Sequence, residues 1–193
     1  MPSAIFLDRD GVIIENRPNY VRSWNDVHIF PQALDSLAKI RKTHHKIFII
    51  TNQSVIGRGL ISQKIIEQIN QQLLGEIRKK GGRIDGIYMC PHAPADNCPC
   101  RKPKPGLLFQ AAHDFSIDLK NSLMIGDALT DLKAARAAGL TQVALLRTGL
   151  GAQQEQNPEI SKMQPFPIFN TLAEALNRLV LQQENIHIPS HSD

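Results

Sequence analysis

Asp8 and Asp10 stand two residues apart at the end of the short apolar run Ala4-Ile5-Phe6-Leu7, with Gly11 just beyond them. A run this short and apolar reads as a buried strand that the glycine breaks. Two carboxylates at such a boundary are costly beside a core unless they are neutralised. A hard divalent cation such as Mg²⁺, which prefers oxygen ligands, would do so. By itself the pair reads equally well as two solvated acids in a turn. Further along, Asp127 follows Gly126 and precedes Asp131 by four residues. Residues i and i+4 share a face at a helix start, although this pattern alone is more often a helix N-cap than a metal site. Thr51 offers a hydroxyl, Lys102 a positive charge, and the backbone around Gly57 and Gly59 can bring amides close to an anion.

A second constellation is Cys90-Pro91-His92 followed by Cys98-Pro99-Cys100. Four soft ligands within eleven residues use every cysteine of the chain and match a tetrahedral Cys₃His zinc site. Four protein ligands saturate zinc, so the site is expected to be structural and to fold the loop that delivers Arg101 and Lys102. A Cys98–Cys100 disulfide is the alternative; its small ring would be strained.

The elements that must position these residues alternate. Strands are expected at Lys46–Thr51, Gly86–Met89, Ser122–Ile125 and Gln142–Leu146, besides the first run. Pro31 opens a helix with Leu34 and Leu37 on one face. Ser62 caps a long helix carrying Ile66, Ile69, Leu73 and Ile77 on one stripe, and Gly81-Gly82 ends it. Further helices are expected at Leu107–Phe115, at Thr130–Ala138 before Gly139, and at Thr171–Gln183 with Leu172, Ala175, Leu176 and Leu179 facing inward. The stretch from Thr148 to Pro167 reads as irregular. Repeated strand–helix units predict an α/β fold: a doubly wound, mostly parallel sheet with helices on both faces, a small zinc-binding loop and no large cap domain. In such sheets ligands bind at the carboxyl ends of the strands, where Asp8, Asp10, Thr51 and Asp127 fall.

In order, Asp8-x-Asp10-Gly11, Thr51, Lys102-Pro103-x-Pro105 and Gly126-Asp127-x-x-x-Asp131 resemble the four motifs of the haloacid-dehalogenase-like phosphatases over roughly residues 4–149. The resemblance implies that Asp8 attacks phosphorus to form an aspartyl-phosphate. Asp10 then protonates the leaving alkoxide and later deprotonates the attacking water, while Thr51 and Lys102 hold the phosphoryl oxygens. It places Mg²⁺ between Asp8, the backbone carbonyl of Asp10 and Asp127, with Asp131 behind them. With an ordinary carboxylate pKa of about 3.9, Asp8 is expected to be ionised at pH 7, whereas Asp10 must start protonated.

The zinc loop narrows the resemblance to two groups, which act on heptose 1,7-bisphosphate and on histidinol phosphate. Thr51-Asn-Gln-Ser-Val-Ile-Gly-Arg-Gly59 and Asn19-Tyr20-Val21 look more like the heptose group, and the short Ala93–Asn97 loop more like the histidinol group. Val55 and Ala128 depart from the heptose pattern, which often has Gly and Lys at these positions. The heptose resemblance implies substrate-binding positions at Asn16, Arg17, Asn19 and Tyr20, at Asn52, Gln53, Ser54 and Arg58, and at Arg101. Trp24 is expected either at the pocket rim or in the core.

The 193 residues predict one domain over 1–183, with the zinc loop inserted at 90–101 and a flexible tail at 184–193. No apolar stretch approaches the roughly 20 residues that span a bilayer, and no basic-then-apolar leader opens the chain. A cytoplasmic monomer is therefore expected, acting on a small sugar phosphate without a membrane or nucleic-acid partner. A net charge of +4 permits an anionic macromolecular partner. Against a nucleic-acid-end phosphatase or anion-binding module stand an aromatic content of only 5% and the lack of a long basic stripe.

Overall fold

Six short apolar runs pair side by side in the computed structural model, which describes residues 1–183. They are β1 (Ala4–Leu7), β2 (Lys46–Asn52), β3 (Gly86–Cys90), β4 (Leu123–Gly126), β5 (Gln142–Leu146) and β6 (Ile168–Phe169). All pairings are parallel, in the order β3-β2-β1-β4-β5-β6. Winding runs outward from β1 to β3, then restarts at β4 on the other side of β1. That reversal leaves a crevice at the carboxyl ends of β1 and β4.

The connecting helices are α1 (Pro31–Lys39), α2 (Ser54–Gly57), α3 (Gln63–Lys79), α4 (Gly106–Phe115), α5 (Leu129–Ala137), α6 (Gly151–Gln154), α7 (Pro158–Met163) and α8 (Leu172–Leu176). Successive strand residues point to opposite faces, which splits the core in two. Ile5, Leu7, Ile47, Ile49, Leu123 and Ile125 pack with the buried residues of α1, α3 and α8. Ala4, Phe6, Phe48, Ile50, Met124 and Leu145 pack with those of α4, α5 and α7. The α3 stripe is buried as expected. Gly81, at φ +82°, ends the helix with its N–H on Arg78 O, and Gly82 N–H returns to Ile77 O.

Four short elements escaped the sequence pattern. The stretch from Thr148 to Pro167 is not wholly irregular, because it holds α6 and α7. Helices of four and six residues complete too few turns to show a period. The two-residue β6 and the single turn α2 are missed for the same reason. The last helix begins as expected, but it opens into a π turn over Asn177–Leu181, which buries Val180 and leaves Leu179 only partly covered. A wider turn rotates the stripe by about one residue. The tail expected at 184–193 lies outside the described residues. Among the described residues no helix is long and apolar enough to cross a membrane.

Phe48 has no exposed surface, and its ring lies 5.6 Å from that of Phe6, 5.9 Å from Tyr88 and 4.9 Å from Phe115. Phe48→Ala is expected to lower the unfolding free energy by about 3–5 kcal/mol in urea titration. A loss below about 1 kcal/mol would contradict this packing.

Candidate active site

The first motif starts where β1 ends beside β4, with the Asp8 N–H donating to Ile125 O at 3.1 Å. The chain then folds back on itself. Gly11 has φ +86°, and a Cβ there would stand 2.0 Å from Asp127 Oδ2, so neither conformation nor space admits a side chain. The Thr148 hydroxyl donates to Gly11 O at 2.6 Å, which ties the segment after β5 to this turn. Asp127 follows β4; its Oδ2 accepts the Leu150 N–H at 2.8 Å and Asn16 Nδ2 at 3.3 Å.

Asp131 combines both readings of its motif. Asp127 precedes α5, so the two acids do not share a helix face. Asp131 sits in the first turn, where its Oδ2 accepts the Ala128 N–H at 3.1 Å and caps the helix. Its other oxygen, Oδ1, lies 2.6 Å from Lys102 Nζ. Lys102 is 3% exposed and also reaches Asp8 Oδ1 at 3.0 Å and Ile50 O at 2.8 Å. The ammonium thus makes one hydrogen bond, to Ile50 O, and two ion pairs, to Asp8 and Asp131.

Oxygens of Asp8, Asp127 and Asp131 all lie within 4.8 Å of one another, against the single charge of Lys102. Burial pushes Asp8 up to about 7, against the pull of Lys102, and repulsion from Asp131 and Asp10 adds to the rise. Burial likewise pushes Asp127 up to about 8, helped by the charges of Asp8 and Asp131. Burial acts downward on Lys102, but Asp131 and Asp8 outweigh it and hold the ammonium above the ordinary lysine range. By its own groups, then, the site does not keep Asp8 fully ionised at pH 7, contrary to the expectation from its unperturbed pKa. Full ionisation of the three carboxyl groups would leave two negative charges beyond the one that Lys102 offsets, in a buried, oxygen-lined space. That donor set fits a hard divalent cation. Asn16 Oδ1 is also buried beside Asp127 without a donor.

Asp10 is balanced separately. Arg9 Nε donates to Asp10 Oδ2 and Nη2 to Oδ1, both at 3.1 Å. Gln53 Nε2 donates to Asp10 Oδ2 at 2.9 Å and to Thr51 Oγ1 at 2.8 Å, and the Thr51 hydroxyl lies 3.4 Å from Asp10 Oδ2. Arg9 is 1% exposed, and its third nitrogen, Nη1, donates to Asn70 Oδ1 on α3 at 2.9 Å.

The cleft above these groups, ≈ 280 Å³, is lined by Asp8, Asp10, Asn16, Arg17, Tyr20, Thr51, Asn52, Gln53, Ser54, Arg101, Lys102 and Asp127, all expected positions. Asn19 and Arg58 are exposed and do not line it. In a loop and at a helix end, sequence order alone does not decide which side chains turn inward. Several expected side chains are already engaged. Asn52 donates to Lys102 O and accepts the Lys102 N–H, both at 3.1 Å, clamping the lysine's backbone. Gln53 turns to Asp10, and Arg17 Nε donates to Asp26 O at 2.9 Å. Val21, Ala128, Thr130 and Leu150 also line the cleft. Leu150 acts on Asp127 through its backbone, so its residue type carried no signal. Asn70 did carry one: it is a polar residue within the apolar stripe of α3. Trp24 packs against the core rather than the cleft, and Val55 is buried there too.

Beside the cleft, Cys90, His92, Cys98 and Cys100 converge. Sulfur–sulfur distances are 3.3–3.5 Å, and His92 Nδ1 lies 3.3 Å from Cys100 Sγ and 3.6 Å from Cys90 Sγ. These separations exclude a disulfide bond and lie near the edges, about 3.8 Å, of a thiolate tetrahedron around zinc. All three cysteines are free, so the Cys98–Cys100 alternative does not hold. The loop docks on α2, where Gly57 N–H donates to Pro91 O at 2.8 Å. It leads directly into Arg101 and Lys102.

A family model described as "HAD-hyrolase-like" matches residues 99–175. A D-glycero-beta-D-manno-heptose-1,7-bisphosphate 7-phosphatase from Pseudomonas aeruginosa is 35% identical over 156 residues, which cover 81% of this chain and 87% of that one. An enzyme of the same name from Helicobacter pylori is 44% identical over 145 residues, 74% of this chain and 82% of that one. A D-glycero-alpha-D-manno-heptose-1,7-bisphosphate 7-phosphatase from Photorhabdus laumondii is 38% identical over 151 residues, 75% of this chain and 82% of that one. Among solved structures, the D,D-heptose 1,7-bisphosphate phosphatase from B. bronchiseptica, complexed with magnesium and phosphate, superposes with a TM-score of 0.85. It is 32% identical, covering 93% of this chain and 99% of that one. With the parallel sheet and the convergent carboxylates already in place, this likeness makes the chain a phosphoric monoester hydrolase of the haloacid-dehalogenase-like superfamily, belonging to its heptose-bisphosphate phosphatase family.

Proposed function

We propose that this enzyme removes the 7-phosphate of D-glycero-D-manno-heptose 1,7-bisphosphate through an aspartyl-phosphate on Asp8. The carrying observation is the grouping of Asp8, Lys102, Asp127 and Asp131 at the β1/β4 crevice. Lys102 orients Asp8 Oδ1, and with Thr51 it would hold the phosphoryl oxygens. Asp8 attacks phosphorus as the ester P–O bond breaks, and the Asp10 carboxyl gives its proton to the departing alkoxide. The Asp10 carboxylate then takes a proton from water, which attacks the acyl phosphate, releasing inorganic phosphate and restoring Asp8. Mg²⁺, held by Asp8, Asp127 and the backbone carbonyl of Asp10, would offset the repulsion between Asp8 and the phosphate dianion and keep Asp8 ionised. Asp131 caps α5 with Oδ2 and pairs with Lys102 through Oδ1, which suits a part in holding Lys102. Asp8→Asn should abolish turnover with circular dichroism unchanged; a tenth of wild-type activity remaining would overturn the covalent route.

The second anion of the substrate supports the sugar assignment. Apart from Asp8, Asp10 and Asp127, the cleft lining includes no acid, whereas Arg17 and Arg101 both line it. Guanidinium groups suit a phosphate, and an amine-bearing substrate would call for acids there. A phosphate-release screen should give the highest kcat/KM with one of the heptose 1,7-bisphosphate anomers. A tenfold preference for histidinol phosphate would replace the substrate while leaving the reaction class in place.

The cysteine–histidine cluster is proposed to hold one structural zinc that fixes the loop bearing Arg101 and Lys102. Protein purified without added metal should contain about one zinc per chain. Metal-free folded protein with three freely titratable thiols would rule this out.

A further inference from the structure

Asp10 must point its carboxyl at the leaving oxygen; Gln53 and Thr51 reach it from the cleft lining, and Arg9 reaches it from outside the cleft. Its carboxylate faces the fork of Arg9, with Nη2 also 3.0 Å from Oδ2. Arg9 is among the largest fully buried side chains of the protein. A guanidinium cut off from water takes its orientation from its acceptors. Asp10 grips one side of the plane, and Asn70 Oδ1, 61 residues away in sequence, accepts from the other at 2.9 Å. Asn70 is itself buried, between Ile66, Ile69 and Leu73, which dock α3 on the sheet. It does not line the cleft.

We infer that Asn70 is a positioning residue: it locks the Arg9 plane from α3, and the locked fork aims Asp10 at the leaving group. This rests on the reading of Asp10 as the proton donor. A residue serving only the fold would weaken turnover of every substrate alike. A residue that aims the acid matters in proportion to how badly the leaving oxygen needs a proton. An alkoxide needs one, and a nitrophenolate leaves without it.

The experiment compares heptose 1,7-bisphosphate with p-nitrophenyl phosphate for the wild type, Asn70→Leu, Asn70→Asp and Asp10→Asn, with melting temperatures recorded. Asn70→Leu should lower kcat on the sugar phosphate about tenfold or more, with KM within about twofold, and lower kcat on the aryl phosphate by less than about threefold. Asn70→Asp keeps the acceptor and should restore the sugar-phosphate kcat to within about threefold of wild type. Equal losses on both substrates, or none on either, would overturn the inference. Asp10→Asn separates the two claims. A leaving-group split in Asp10→Asn without one in Asn70→Leu overturns the Asn70 role alone. No split in Asp10→Asn overturns the acid reading and the Asn70 role together. Should Asn70→Leu not fold, Asn70→Ala removes the acceptor without adding bulk and reads the same ratio.

Discussion

One buried ammonium holds the centre together. Lys102 Nζ lies between Asp8, Asp131 and the carbonyl of Ile50, and so joins the end of β1, the first turn of α5 and β2 at a single point. Without it, three carboxyl groups within 4.8 Å would face one another with no cation of the chain among them. Burial and repulsion at that distance drive carboxyl groups toward protonation, and Lys102 opposes that drive. The loop from β3, its clamp by Asn52 and its docking on α2 can all be read as means of bringing that one charge to the sheet.

Charge is balanced in two compartments. Asp10 is matched by Arg9, both carried on the first motif, and the match is closed from α3 by Asn70. Asp8, Asp127 and Asp131 crowd around the single charge of Lys102, and burial with that crowding raises Asp8 and Asp127 toward protonation. This separation gives two neighbouring aspartates different characters from one short segment. A carboxylate held by a permanent cation and an amide differs from one crowded by like charges. The first can be aimed, while the second awaits a divalent partner.

Close approach is the other constraint. Gly11 lets the first motif turn back against Asp127, since a side chain there would occupy the carboxylate's own position. The Thr148 hydroxyl and the Leu150 N–H then secure the same corner from the segment after β5. Together these contacts hold Asp127 where the strand ends alone would leave it free to rotate.

Much of this was legible in the order of residues. The alternation of apolar strand runs with helical stripes determined a parallel, doubly wound sheet, because each element must bury one face. Strand ends carrying Asp8, Thr51 and Asp127, and the spacing of Cys90, His92, Cys98 and Cys100, marked out the chemistry, because those side chains are short and act close to their own backbone. Only the tertiary structure decided the rest. Arg9, between the two acids, gave no sign of being buried, and Asn70 acts across 61 residues of chain. Leu150 contributes through its N–H, which no residue type announces. Asn52 and Gln53 read as ligand contacts but turn to Lys102 and Asp10, and Arg58 does not line the cleft. Local pattern specifies which elements form and which face each buries. The partner of a buried polar group depends on which distant segment arrives beside it, and packing alone settles that.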